Sequence, residues 1–423
     1  MRVLVIGRGG REHTLVWALQ KSEKVGQIYC APGNAGIAEL AECVPIQENQ
    51  FEQLSQFALD YAIDLVVVGP DDPLSEGIVD HFEERNIPVF GPRANAAIIE
   101  GSKVFTKNLL KKYNIPTAAY ETFTEYEPAV SYLKTQQAPY VIKADGLAAG
   151  KGVIVAQTLE EAESALQEIM VHKVFGEAGN QVVIEEFLTG QEMSILAFVD
   201  GNTVRPMVPA QDHKPVYDGD KGPNTGGMGT YSPVPHIPQA VVDEAIRTIL
   251  IPAAEAMVKE GRPFRGVLYA GLMLTPQGPK TIEFNARFGD PETQVVLSRL
   301  ETDLLDIFLA TVNGQLGQID IQWSEEAAVC VILASEGYPG PYPKGVPITG
   351  LDEVQDSVVF HAGTAKKDGQ YVTNGGRVLG VVGRGQDIAA ARTKAYADAD
   401  RIRFEGKHYR TDIAHKALVP YQA

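Results

Sequence analysis

"RVLVIGRGGREHTLVWALQ", residues 2–20, reads as a buried strand, a glycine turn and a helix in immediate succession. The apolar runs that follow, "QIYCAPG" (27–33), "IDLVVVGP" (63–70) and "IPVFGP" (87–92), each end in a Gly or Pro loop. Helical stretches lie between them, from Phe51 to Tyr61 and from Ser75 to Arg85. Strands alternating with helices imply a parallel sheet, with ligand loops at its carboxyl edge. Residues 1–102 are therefore expected to form a Rossmann-like α/β domain. The turn itself fits G-x-G-x-x-G at two glycines only, because Glu12 occupies the third place. No acidic residue closes the second strand to bind a ribose, which weighs against a nicotinamide dinucleotide. A single phosphate on the N–H groups of Gly9, Gly10 and Arg11 remains open, as does a turn with no ligand.

Bulk properties narrow the function. A chain of 423 residues exceeds one hydrophobic core and divides into about three domains. At 44% hydrophobic and 22% charged it is a folded globular protein. The formal charge of −17 disfavours nucleic acid and membrane surfaces as partners, since both are polyanionic. Cys30, Cys43 and Cys330 are widely spaced and form no metal or disulfide pattern. Without a signal peptide or an 18-residue apolar run, the expected location is cytoplasmic.

The second unit, 103–325, opens with a helix from Lys103 to Tyr113. A smaller lid subdomain is expected at about 118–190, around "IKADGLAAGKGVIV" (142–155). That stretch fails the Walker A spacing, but a glycine-rich hairpin between strands can lie over a triphosphate without it. Lys143 sits in an apolar strand, where a charge is costly unless it meets an anion. Further on, "VIEEFL" (183–188) ends a strand in a possible adenine hinge, with backbone groups of Glu186 and Leu188 facing the base and Glu192 the ribose. A helix is expected from Gln239 to Lys259. Residues 326–423 read as a small mixed α/β domain of strands joined by turns.

The strongest local signal is "TIEFNARFGDPET" (281–293). Alternate residues of a strand share a face, so Glu283, Asn285 and Arg287 project together while Ile282, Phe284 and Ala286 face the core. Two oxygen ligands and a guanidinium suit a divalent metal bridging phosphates. The glycine-rich segment 211–235 is too long for a mere connection. Within it Asp212 is placed to pair with a substrate amino group.

In this order along the chain, "GRGGREH", "APGNAG", "VGPDDPL", "EGSKVFTK", "IKADGLAAGKGV", "VIEEFL", "QDHK", "GPNTGGMG", "LYAGLM", "IEFNARFGDPETQ", "FHAGT" and "NGGRVL" resemble the glycinamide ribonucleotide synthetases (phosphoribosylamine–glycine ligases) of the ATP-grasp superfamily. The resemblance spans essentially the whole chain. It departs at Pro215, Tyr217 and Asp71. It implies central ATP-grasp domains, ATP as co-substrate, Mg²⁺ or Mn²⁺, and a monomer acting on glycine and 5-phosphoribosylamine through an acyl phosphate. Carried onto this sequence, Lys103, Lys143, Gly150, Lys151 and Gly152 hold phosphates, and Glu185, Glu186, Leu188 and Glu192 hold adenosine. Glu283 and Asn285 bind metal. Arg287, Asp290 and Asp212 are catalytic, Asp212, Lys214 and Gly289 bind glycine, and Gly9, Gly10, Arg11 and Asn34 bind phosphoribosylamine. Alternatives are a sister ATP-grasp ligase with another carboxylate or bicarbonate, a nicotinamide oxidoreductase, and a nucleotide sensor without catalysis.

Overall fold

The first strand's run of Val, Leu and Ile is buried on both faces, as a central parallel strand must be. A computed structural model describes residues 1–148 and 151–419. In it the N-terminal sheet is wholly parallel, ordered Glu42–Cys43, Gln27–Pro32, Arg2–Gly7, Leu65–Val68, Val89–Phe90. The chain reverses direction of winding between Arg2–Gly7 and Leu65–Val68, the place where such sheets bind ligands. The two-residue strand Glu42–Cys43 carries too little pattern to be read from sequence.

Glu12 fills the place of the missing third glycine in this turn. Its buried carboxylate folds back over the turn and accepts the Gly9 N–H at 2.8 Å. A Cβ on Gly7 would lie 2.3 Å from Glu12 Cγ, and one on Gly69 only 2.0 Å from Glu12 Oε1. The glycines thus make room for a carboxylate of the chain itself.

Three further sheets of four or five strands follow among the described residues. The lid sheet is antiparallel, ordered Tyr120–Phe123, Val182–Glu186, Tyr140–Ala144, Val153–Ala156, with its own apolar core. The central sheet runs Thr203–Pro206, Gln191–Asp200, Arg265–Thr275, Gly278–Asn285. The third runs Gln211–Asp212, Gly229–Ser232, Ala327–Ala334, Arg377–Gly385, Val358–His361. It bridges the border expected at 325/326, because two of its strands come from the glycine-rich segment. That segment is therefore not structureless: it also forms the ribbon Pro215–Tyr217 with Lys221–Asn224. The helix expected from Gln239 to Lys259 is broken into Gln239–Ala245, a π-turn at Ile246–Leu250, and Ile251–Lys259. Pro252 has no N–H to give the carbonyl four residues back, so the ladder shifts register there. No helix among the described residues is long and apolar enough to cross a membrane.

The first and third sheets are joined through two buried histidines. His13 Nδ1 accepts the His361 N–H at 2.7 Å. Burial, with His361 nearby, pushes His13 down to about 3, and burial pushes His361 down to about 4. Both lie below the unfolded value near 6.5, so their contribution is present above that pH and is lost as pH falls toward the folded values. Each group contributes a slope of at most about 1.4 kcal/mol per pH unit. We expect Tm to drop between pH 6.5 and 4.5, and His13→Asn, which keeps an acceptor but does not titrate, to flatten the drop. An unchanged slope in the variant would assign the acid sensitivity elsewhere.

Candidate active site

The helix Lys103–Lys112 points two lysines four residues apart, Lys103 and Lys107, along one face. Ser102 caps it by accepting the Phe105 N–H at 3.0 Å. The Val104 N–H reaches across to Asp145 of the glycine hairpin at 3.2 Å, and Lys103 Nζ donates to Gly146 O at 2.6 Å. The helix start and the hairpin are thus fastened together. At the hairpin's base the Ala144 N–H donates to Gly152 O at 2.8 Å, and a Cβ on Gly152 would meet Ala148 Cβ at 2.8 Å. Gly152 is required by that close approach. Lys151 is exposed, and Gly150 lies outside the described residues.

Lys143 is buried on the lid sheet. Its Nζ lies 3.1 Å from Glu185 Oε1 and 3.4 Å from Ile282 O, so it spans the cleft between lid and central sheets. Across that cleft, Glu283 and Asn285 belong to Gly278–Asn285 and Arg287 follows it. The expected alternation holds from Glu283 onward: Phe284 and Ala286 are buried. It fails at Ile282, which is only half-buried. A bulge pairs Gly271 with Glu283 but Leu272 with Thr281, leaving Ile282 as the extra residue. That irregularity is what turns its carbonyl toward Lys143.

Burial opposes the charge of Glu283, yet Lys214, Lys143, Arg287 and Lys103 together hold it below the usual carboxylate range. Four cations converge on one carboxylate. Arg287 is fixed by a partner the sequence reading missed, Glu100, whose Oε1 lies 2.9 Å from Arg287 Nη2. Glu100 Oε2 also accepts the Ala286 N–H at 2.8 Å. Burial works against the guanidinium, but Glu100, Asp71 and Glu292 keep it above its ordinary range. Glu100 precedes Lys103 by three residues on a different helix, so nothing in its spacing marks it as the partner of residue 287.

At the hinge, the Glu186 N–H donates to Ala119 O at 2.9 Å and its Oε2 accepts the Ala119 N–H at 3.0 Å. The Glu186 N–H is thus engaged within the lid, which leaves its carbonyl as the backbone group to meet a base. Glu192 lies 3.2 Å from Lys214 Nζ. Burial opposes the Lys214 charge, but Asp212, Glu192 and Glu283 raise it well above the usual range. Burial, against the pull of Lys214 and with Glu292 and Glu192 nearby, pushes Asp212 up to about 7. Asp212 gains by any cation delivered beside it.

Several residues expected to touch substrate also hold the domains together. The Asn34 side chain donates to Arg8 O (2.9 Å) and His361 O (2.8 Å) and accepts the Gly36 and Ile37 N–H groups (3.0 Å each). It is saturated by backbone and carries no free group for phosphoribosylamine. Asp290 accepts from Gln294 Nε2 at 2.8 Å and from the Arg11 N–H at 3.3 Å, while Arg377 donates to its carbonyl at 2.9 Å. Burial works against the Asp290 charge, but Arg377 and Arg11 hold it below the usual range. That geometry makes Asp290 a joint between all three large segments. At the start of the helix Gly10–Gln20, Glu12 takes the Gly9 N–H and Asp290 that of Arg11. Arg11 is further held by Glu12 Oε1 at 2.7 Å and Phe288 O at 3.2 Å. Gly289 is required because a Cβ there would lie 2.6 Å from Glu292 Oε2. Glu292, missed by the sequence reading, accepts from Tyr269 OH at 2.7 Å beside the same turn.

Three family descriptions match the chain in sequence: the phosphoribosylglycinamide synthetase N domain over residues 1–100, its ATP-grasp (A) domain over 101–293, and its C domain over 328–416. A phosphoribosylamine–glycine ligase of Caldanaerobacter subterraneus is 53% identical over 98% of this chain and 99% of its own. The crystal structure of a phosphoribosylamine–glycine ligase from Thermotoga maritima superposes with a TM-score of 0.87 at 37% identity, covering 98% of this chain and all of that one. A biotin carboxylase from Campylobacter jejuni, at 15% identity and a TM-score of 0.74 over 96% of this chain and 92% of that one, shares the fold. On this evidence the chain belongs to the phosphoribosylglycinamide synthetase family of ATP-grasp ligases.

Proposed function

We propose that the protein ligates glycine to 5-phosphoribosylamine at the expense of ATP, through glycyl phosphate, giving glycinamide ribonucleotide, ADP and phosphate. One observation carries the reading beyond family membership: Lys103, Lys143, Lys214 and Arg287 converge on a single carboxylate, Glu283, between the lid and central sheets. Lys143, Lys214 and Arg287 each also lie beside a carboxylate of their own, Glu185, Glu192 and Glu100, yet the buried Arg287 Nε has no partner among the described residues and calls for a further anion. A triphosphate meets that need.

The donor set also fits a divalent metal. No group of three or more His, Cys, Asp or Glu side chains placed to hold a metal occurs among the described residues. Glu283 and Asn285 supply one carboxylate and one amide oxygen, which suits Mg²⁺ or Mn²⁺ completing its shell with phosphate and water. A divalent ion held there would supply charge neutralisation to the phosphates. The residues of the chain do the rest. Lys103 and Lys143 hold the phosphates, beside Asp145, Gly146 and Gly152. Arg287 steadies the transferring phosphoryl group as a glycine carboxylate oxygen bonds to the γ-phosphorus and ADP leaves. Asp212 receives the glycine ammonium. The amine of phosphoribosylamine then attacks the acyl carbon and phosphate departs. Its place, bordered by Gly10 and Arg11, lies where the Asp290 joint connects the N-terminal domain to the Gly289 turn. No protein nucleophile is required; Cys30 and Cys330 are buried, and burial raises both thiols. The chain acts as a monomer, each copy containing every residue named.

ADP release should require glycine and phosphoribosylamine together, and glycine carrying ¹⁸O in its carboxylate should deliver one labelled oxygen to the released phosphate. Bicarbonate or another amino acid replacing glycine would support a sister ligase. Unlabelled phosphate would exclude the acyl phosphate.

A further inference from the structure

Lys107 is not used in that mechanism, yet it is as deeply buried as the core around it, with 3% of its surface exposed. It sits one turn after Lys103 on the same helix face. Its Nζ donates to Thr117 Oγ1 at 2.7 Å, and Thr117 Oγ1 donates to Thr281 O on the metal-binding strand at 2.8 Å. The same Nζ lies 3.3 Å from Glu185 Oε1, the oxygen that also meets Lys143 Nζ at 3.1 Å. Two lysines therefore share one carboxylate oxygen, in a closed loop that ties the hinge strand, the lid and the central sheet.

We propose that Lys107 is a positioning residue for the phosphates of ATP: by sharing Glu185 it prevents that carboxylate from neutralising Lys143, which stays free to meet an anion across the cleft. The charge count gives the reason. Glu185 with Lys143 alone is a neutral buried pair, whose mutual attraction holds the ammonium away from any other anion. Adding Lys107 leaves the trio with one net positive charge, facing the place where the triphosphate must lie. The Thr117 bond fixes where Lys107 stands, so Glu185 is held between the lysines.

The charge of Lys107 is itself delicately held. Burial lowers its pKa to about 8, opposed by Glu185 and assisted by Lys143, with Glu186 a further charged neighbour and the Tyr120 ring 5.5 Å away. The inference rests on the proposed ATP site but not on what is ligated there, so its test is a binding measurement. By calorimetry on the intact protein, ATP affinity should weaken as pH rises above about 8, approaching tenfold per pH unit. Adenosine, which has no phosphates for Lys143, should bind without that step. Lys107→Met should bind ATP at least about tenfold more weakly at pH 7, the equivalent of one unit of differential interaction, and should lose the step near pH 8. Adding Glu185→Gln to Lys107→Met should recover most of the loss, because a neutral amide does not capture Lys143. A wild-type protein showing the same pH dependence for ATP and adenosine would overturn the proposal without any variant. So would a folded Lys107→Met protein with normal ATP affinity, or one that keeps the step. If the binding results hold but no glycine-dependent ADP release occurs, the proposed reaction fails and the role of Lys107 stands.

Discussion

Glu283→Gln is expected to lower turnover by about 10²- to 10³-fold at saturating ATP, since a metal bridging phosphates is worth several kcal/mol in the transition state. The fold should survive, because Glu283 is half-buried in the cleft and glutamine has nearly its shape. Binding should split in an informative way. Glu283 is ionised in the free protein, held so by four cations. Removing its charge lessens repulsion toward a bare triphosphate, so metal-free ATP should bind at least as tightly as in the parent. ATP with Mg²⁺ or Mn²⁺ should lose the advantage the metal gives. A purely electrostatic role for Glu283, with no metal on it, predicts the same gain for metal-free ATP but no loss of the metal's advantage. Near-normal turnover at saturating metal would contradict the assignment.

How far these residues were legible follows from the distances over which their signals act. Strand, turn and helix in residues 2–20 are local pattern, and the parallel sheet follows from repeating it. Lys143 stands out because a lysine in "YVIKA" violates local burial rules. Glu283 and Asn285 stand out because period-two alternation places them together, and the one failure, Ile282, comes from a bulge set by how the neighbouring strand pairs. What escaped reading were partnerships across the fold. Glu100 lies 187 residues before Arg287 on the chain, yet the two are 2.9 Å apart. Asn34 and Asp290 are assigned to substrate by the resemblance alone, which says nothing of their partners within the chain. The structure adds partners from the C-terminal region, His361 O for the Asn34 side chain and Arg377 for the Asp290 carbonyl. Glu12 is the converse case, where an apparent flaw in a fingerprint proved to be a carboxylate that fills the turn. Lys107 carried a visible signal, four residues after Lys103 on an amphipathic helix, but lysines at that spacing usually face water.

Arg287→Lys is expected to lower turnover by about 10²-fold or more, in line with removal of one electrostatic donor at a transferring group. The observed geometry shows why an equal charge does not suffice. Arg287 Nη2 is held by Glu100 at 2.9 Å, while Nη1 bends toward Phe288 O at 3.3 Å. A guanidinium keeps the carboxylate on one edge and still presents N–H groups on another, and its plane fixes their direction. A lysine has a single nitrogen. It either stays with Glu100, leaving the phosphoryl group without its donor, or reaches the cleft and leaves Glu100 buried and unpaired. The second arrangement is the more costly, because an uncompensated buried charge costs about 3–5 kcal/mol, so the ammonium should remain with Glu100. ATP affinity should then change little, since Lys103 and Lys143 still hold the phosphates, and the defect should appear in turnover. Adding Glu100→Gln to Arg287→Lys should release the ammonium and recover part of the rate. A single variant with normal turnover and weak ATP binding would place Arg287 in ground-state binding, and a double variant slower than the single would show that Glu100 acts on the reaction by some route other than holding residue 287.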